Sequence, residues 1–169
     1  AGGIRAVVEL APTFITIHAS GGREMMKAAV EEAGSQAAKQ NVARPKLLGV
    51  TVLTSLDRSD LEATGVDADP SDQVVRLAAL AHESGLDGVI CSPLEIAALR
   101  RQCGPDFVLM VPGIRPVGSA ANDQKRAMTP RQAVDLGATH LVVGRPIYQA
   151  ADPRAAAEAI AREAGVNEL

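Results

Sequence analysis

The chain reads as an α/β protein on a parallel sheet, one initial helix followed by five strand–helix units. Three observations carry this. Five short apolar runs recur: "FITIH" (14–18), "LLGVTVL" (47–53), "GVIC" (88–91), "FVLMV" (107–111) and "HLVVG" (140–144). They are nearly continuous rather than alternating, which suits strands covered on both faces. Longer segments with apolar residues at helical spacing separate them, and turn residues punctuate the junctions. Repeated β-α order implies right-handed crossovers and a parallel sheet. Two architectures remain, an open doubly wound sheet or part of a TIM barrel. No G-x-G-x-x-G follows the first strand, which weighs against the dinucleotide-binding form. Five strands fall short of the eight that close a TIM barrel.

The elements follow in order. "GGIRAVVELA" (2–11) predicts the opening helix, and "REMMKAAVEEAGSQAAK" (23–39) the helix after the first strand. Further helices are expected over 71–84, 93–102, 129–137 and 152–165. Ser71, Ser92-Pro93, Thr129-Pro130 and Asp152-Pro153 read as helix starts, because a short polar side chain can cap the free N–H groups and proline suits the first turn. Gly85, Gly104, Gly137 and Gly165 stand where C-caps belong. The Met25-Met26 pair reads as helix packing. The whole of 1–169 is expected to form a single domain.

Composition narrows the function. The 169 residues are 47% hydrophobic, enough for a sizeable core. The formal charge of −3 lacks the basic footprint of a nucleic-acid binder, and 2% aromatics offer no stacking platform for bases. Cys91 and Cys103 have neither metal nor CxxC spacing, and Cys91 lies in an apolar run, as a buried thiol would. No signal peptide and no long apolar span appear, so neither export nor membrane insertion is expected and a cytoplasmic setting is the default. The chain begins Ala-Gly-Gly rather than with Met, which suggests a fragment or a processed product.

In α/β folds the chemistry gathers at the carboxyl ends of the strands. The first run exits into His18-Ala19-Ser20-Gly21-Gly22, the second into Thr54-Ser55-Leu56-Asp57, and the third into Ser92-Pro93. The fourth exits into Pro112-Gly113-Ile114-Arg115-Pro116 and a loop of about fifteen residues carrying Gln124, Lys125 and Arg126. Loops of that length are commonly functional lids or linkers. The last run exits into Gly144-Arg145-Pro146-Ile147. Gly144 permits close backbone approach, and Arg145 adds a planar donor fork, which together suit an anion such as phosphate. The alternative is an arginine paired with a surface carboxylate. His18 fits a general acid or base, or a hydrogen-bonded structural residue. Thr54 and Ser55 fit ligand hydroxyls or a turn. Metal set, nucleophile elbow and Walker-type loop are all missing from the sequence. These residues point to small-anion binding, a phosphorylated metabolite, with no cofactor required.

Five motifs, "HASGG", "VTVLTS", "GLDGVICSP", "PGIRP…NDQ…MTP" and "VVGRPI", stand in one order along essentially the whole chain. In this order they resemble the bacterial type of orotidine 5′-phosphate decarboxylase. The resemblance implies a TIM (β/α)8 barrel of which this chain supplies about strands 4 to 8 with their helices. It implies a homodimer that converts orotidine 5′-phosphate to UMP and CO₂ in pyrimidine biosynthesis, without metal or organic cofactor. It assigns the phosphate grip to Gln124, Gly144 and Arg145, and matches Arg115 to the family's arginine after "PGI". Thr54 matches a hydroxyl near the pyrimidine, with Ser55 adjacent. The family's Asp-x-Lys-x-x-Asp-Ile run, with its proton-donating lysine and its aspartates, does not occur in this sequence and is expected upstream of Ala1. The chain alone is therefore expected to be inactive. Alternatives are a non-catalytic phosphate- or nucleotide-binding fragment, or another sugar-phosphate barrel enzyme.

Overall fold

A computed structural model describes residues 1–116 and 128–166. The chain runs α1 (Gly2–Val8), β1 (Phe14–His18), a 3₁₀ turn, α2 (Arg23–Gln40), β2 (Lys46–Val50), α3 (Arg58–Ala63) and α4 (Pro70–Glu83). It continues with β3 (Gly88–Ile90), a second 3₁₀ turn (Pro93–Glu95), α5 (Ile96–Cys103), β4 (Val108–Val111) and α6 (Pro130–Asp135). Strand β5 (His140–Leu141), α7 (Arg145–Tyr148) and α8 (Pro153–Glu163) complete it.

The sheet order is β1-β2-β3-β4-β5, identical to chain order, and every pairing is parallel. A doubly wound sheet reverses direction at a switch point. This one does not, so its crossovers all turn the same way and its helices lie on one face, as in an arc of a barrel. The register separates the faces, since alternate residues point to opposite sides. Leu47, Val89, Leu109 and Val111 point outward and join one hydrophobic cluster with Met26, Val74, Leu77, Ile96 and Leu99 of the helices. Phe14, Leu48, Val108 and His140 point inward. Leu48 and Val108 are buried there but stand outside the helix-facing cluster. The Phe14 and His140 rings meet edge to face at 4.9 Å, so the first and last strands of the arc touch through their inward side chains.

Small residues set the helix-to-sheet spacing. Ala29, Ala33, Ala78 and Ala81 are buried on α2 and α4. At Gly49 a methyl group would sit 3.2 Å from Leu86 and 3.3 Å from Ala81. At Gly88 it would overlap the Val108 carbonyl on the neighbouring strand. Glycines at 85, 104, 137 and 165 all adopt positive φ and terminate helices, as their positions predict. Buried Cys91 and Met26 also match expectation, whereas Met25 is 37% exposed.

Several expectations need correction. Helix α1 stops at Val8 rather than Ala11, because Ala11 turns left-handed at φ 47°. Ser71 is not the cap of α4; Asp69 takes that place with Pro70 behind it, and Ser71 lies inside the first turn. The segment after β2 holds an unforeseen helix, α3, started by a reciprocal Asp57–Asp60 capping box. The paired strands are shorter than the apolar runs. Beyond Val50 the run continues as Val52 and Leu53, which line a cavity at the strand exits instead of extending the ladder. The "HLVVG" run likewise pairs as a strand only over His140–Leu141.

Candidate active site

The exits of β2, β3 and β4 enclose a cavity of about 270 Å³. Val50, Val52, Leu53, Thr54 and Ser55 line it from β2, Ile90 and Cys91 from β3, and Pro112 from β4. Thr54 is buried and Ser55 exposed, so this pair places one hydroxyl inside and one at the mouth. The bend that puts them there is held by Thr51. Its hydroxyl donates to the Ile90 carbonyl at 2.7 Å, and its backbone N–H reaches the same oxygen at 3.3 Å. Leu56 N–H then donates to Leu53 O at 3.0 Å, closing a turn around Thr54 and Ser55.

Arg115 follows three residues after Pro112 and is buried, with 9% of its surface exposed. Its Nη1 donates to the Ile114 carbonyl at 2.7 Å. Its backbone N–H donates to Met128 O at 2.9 Å, and Met128 N–H donates to Gly113 O at 3.3 Å. These two bonds staple 113–115 to 128, so the ends of the long loop are joined at the base of the site. Gln124 lies outside the described residues. Gly144 and Arg145 stand at the exit of β5, beyond the cavity lining. Gly144 is the N-cap of the four-residue α7, and a methyl group there would lie 3.6 Å from the Tyr148 ring. Arg145 is half-buried. His18 is exposed at the end of β1 and does not line the cavity. The fold thus brings Thr54, Ser55 and Pro112 together and sets Gly144 and Arg145 along the same rim.

One group near the site carries a motif that the strand-exit reading passed over. Glu95 is 1% exposed. Its Oε2 accepts the Ser92 N–H at 3.0 Å, and its Oε1 accepts the Ser71 hydroxyl at 3.2 Å. The Ser-x-x-Glu spacing of 92–95 is the capping-box signature and could have revealed it. Among the described residues no group of His, Cys, Asp and Glu is arranged to hold a metal ion, and no helix is long and apolar enough to cross a membrane. Burial pushes the Cys103 thiol up, partly offset by Arg100, but it lies by the strand entrances, away from this site.

The comparisons agree with this architecture. The family model described as "Orotidine 5'-phosphate decarboxylase / HUMPS family" matches residues 4–160. The chain is 53% identical to the orotidine 5′-phosphate decarboxylase of Rhodospirillum rubrum, over 96% of this chain and 66% of that protein. It is 52% identical to the one from Paramagnetospirillum magneticum, over 98% of this chain and 71% of that protein. The crystal structure of the Lactobacillus acidophilus enzyme of that name superposes with a TM-score of 0.83 at 41% identity, covering 96% of this chain and 67% of that one. The chain therefore spans about two thirds of the length of these relatives. A match that runs from the first helix to the last, on a sheet wound in one direction, makes the chain a member of the orotidine 5′-phosphate decarboxylase / HUMPS family.

Proposed function

We propose that this chain is the phosphate-gripping portion of an orotidine 5′-phosphate decarboxylase, an enzyme of pyrimidine biosynthesis acting in the cytoplasm as a homodimer. The observation that carries the reading is the cavity at the exits of β2 to β4, lined by Thr54 and Ser55, within a chain about half identical to proteins of that name. In the reaction the bond between the pyrimidine ring and its carboxylate breaks. The electron pair stays on the ring carbon, and a proton from the expected lysine replaces CO₂. This chain's residues act at a distance from that bond. Thr54 and Ser55 offer hydroxyls to the pyrimidine. Gly144 and Arg145 offer backbone and guanidinium donors to the phosphodianion, joined by Gln124 and supported by Arg115 at the loop base. Binding energy collected on the phosphate can be used to exclude water and hold the ring where charge develops. No step here requires a metal or an organic cofactor.

Two measurements on the 169-residue chain test this. Its incubation with orotidine 5′-phosphate should give negligible loss of substrate absorbance, because the lysine–aspartate run is not in the sequence. Turnover near that of a longer relative would overturn the division of labour. Calorimetry should detect UMP binding, weakened about tenfold to a hundredfold by Arg145→Ala, as expected for lost charge-assisted bonds. Binding of simple sugar phosphates in preference to UMP would favour the sugar-phosphate reading.

A further inference from the structure

The described residues contain three reciprocal capping boxes: Asp57 with Asp60, Ser92 with Glu95, and Thr129 with Gln132. In the first and third the returning side chain is half-buried or exposed. In the second it is a carboxylate with only 1% exposure. Capping a three-residue 3₁₀ turn does not require that burial, which is costly for a charge. The second oxygen makes a contact outside the turn. It accepts the hydroxyl of Ser71, 24 residues back in the first turn of α4. Ser71 adjoins the end of the 51–70 segment that begins at the candidate site. Within that segment Arg58 donates to Asp69, the N-cap of α4, at 3.3 Å, and to Asp67 at 2.9 Å. At its other end Thr51 is bonded to the Ile90 carbonyl. The segment is thus tied to the exit of β3 at Thr51, and the serine that directly follows it is tied there through Glu95. The Arg58 pairs are exposed and individually weak. The link through Glu95 is the buried one.

We propose that Glu95 is a positioning residue: its carboxylate holds the 51–70 segment, and with it Thr54 and Ser55, against the exit of β3. Its functional weight rests on Thr54 and Ser55 being substrate contacts. The tie itself does not, and ligand-free hydrogen exchange at single amides of the full chain tests it. In Glu95→Ala the amides of Ser92, Leu56 and Asp57 should exchange about tenfold faster, as for loss of a buried hydrogen bond, while Thr139 on the far side of the sheet is unchanged. Glu95→Gln should restore protection, because its carbonyl can accept from Ser92 and its amide can donate to Ser71. Ser71→Ala removes only the link between elements. It should speed Leu56 and Asp57 several-fold and leave Ser92 alone, and it decides the matter if Glu95→Ala does not fold. Acceleration confined to Ser92 and its neighbours, equal acceleration at Thr139, or no effect of Ser71→Ala on Leu56 and Asp57 would overturn the proposal. A chain that shows the expected pattern but binds no UMP would refute the nucleotide reading and leave the tie standing.

Discussion

Gly88 and Arg100 show how much a single residue can decide in this sheet. Gly88 begins β3, and any side-chain carbon there would overlap the Val108 carbonyl on β4. Gly88→Ala must therefore shift backbone. It should cost about 1–3 kcal/mol, the usual range for overpacking, read as a lower urea midpoint. Gly49→Ala is the milder comparison, because the added methyl meets no backbone atom: Leu86 Cδ2 at 3.2 Å can rotate away, and the Cβ atoms of Ala81 and Ala19 stand at 3.3 and 3.4 Å. Equal midpoints for the two variants would sink the argument. Arg100 donates to the carbonyls of Gly104, Pro105, Phe107 and Gly137, joining the turns that enter β4 and β5. A lysine cannot reproduce that fork. Arg100→Lys should lose about 2 kcal/mol, since hydrogen bonds to a charged group are the strong ones. An unchanged melting temperature would show that one ammonium suffices. A glycine at the head of an apolar run is legible in the sequence as a close backbone approach. The Arg100 fork is not, because its partners are carbonyls from two distant turns that any sequence would supply. That Thr54 and Ser55 stand at a strand exit is legible in the sequence. Glu95 had a local spacing signal, but its partner Ser71 becomes visible only once α4 is packed.

At the scale of elements, the caps at Ser92, Thr129 and Asp152 and the glycine stops mark real helix ends, whereas Ser71 and the Asp57–Asp60 box show that a cap-type residue alone does not fix a start. Thr129 and Asp152 cap α6 and α8 through bonds to the N–H groups of Gln132 and Ala155. Helix α3 was missed because it is six residues long and buries only Leu61, too little for a visible periodicity. Strand ends were overestimated because apolar residues that line a cavity look like apolar residues that pair. Helix α1 depends on packing and on one exposed ion pair, Arg5 Nε to Glu32 Oε1 at 2.9 Å. That hydrogen bond, with a second from Gln36, holds the Glu32 carboxyl below its ordinary value of 4.5 despite some desolvation. A lowered folded value means the unfolded chain binds the proton more tightly. The group's contribution is therefore complete above the ordinary value and fades as pH falls through the depressed one. Between about pH 5 and pH 3 the wild-type chain should lose stability more steeply than Glu32→Gln. A stability difference between the two that stays constant across that window would show that the pair does not anchor α1.

For the molecule as a whole, the β-α alternation was plain from the sequence but the sense of winding was not. Apolar runs report that strands are buried, not which neighbour each one takes. The choice between an open doubly wound sheet and a barrel arc needs the spatial order, which in the sequence only the motif resemblance carries. The arc has a physical consequence. Among the described residues β1 and β5 each have one strand neighbour, and the inward-facing Thr16, His18, Lys46 and Val142 are exposed. Unpaired N–H and C=O groups on an edge strand are a template for another strand. The chain should therefore associate with itself, its sedimentation-averaged mass rising with concentration across the micromolar range. Thr16→Lys sets a charge on the inward face of the edge strand, the device natural sheets use to discourage edge pairing. Thr16 is already exposed, so the fold should tolerate it, and the variant should remain monomeric at higher concentration than the wild type. Association unaffected by that charge would place the contact on the helical side, where Leu136 and Tyr148 are exposed, and remove the open arc as its cause.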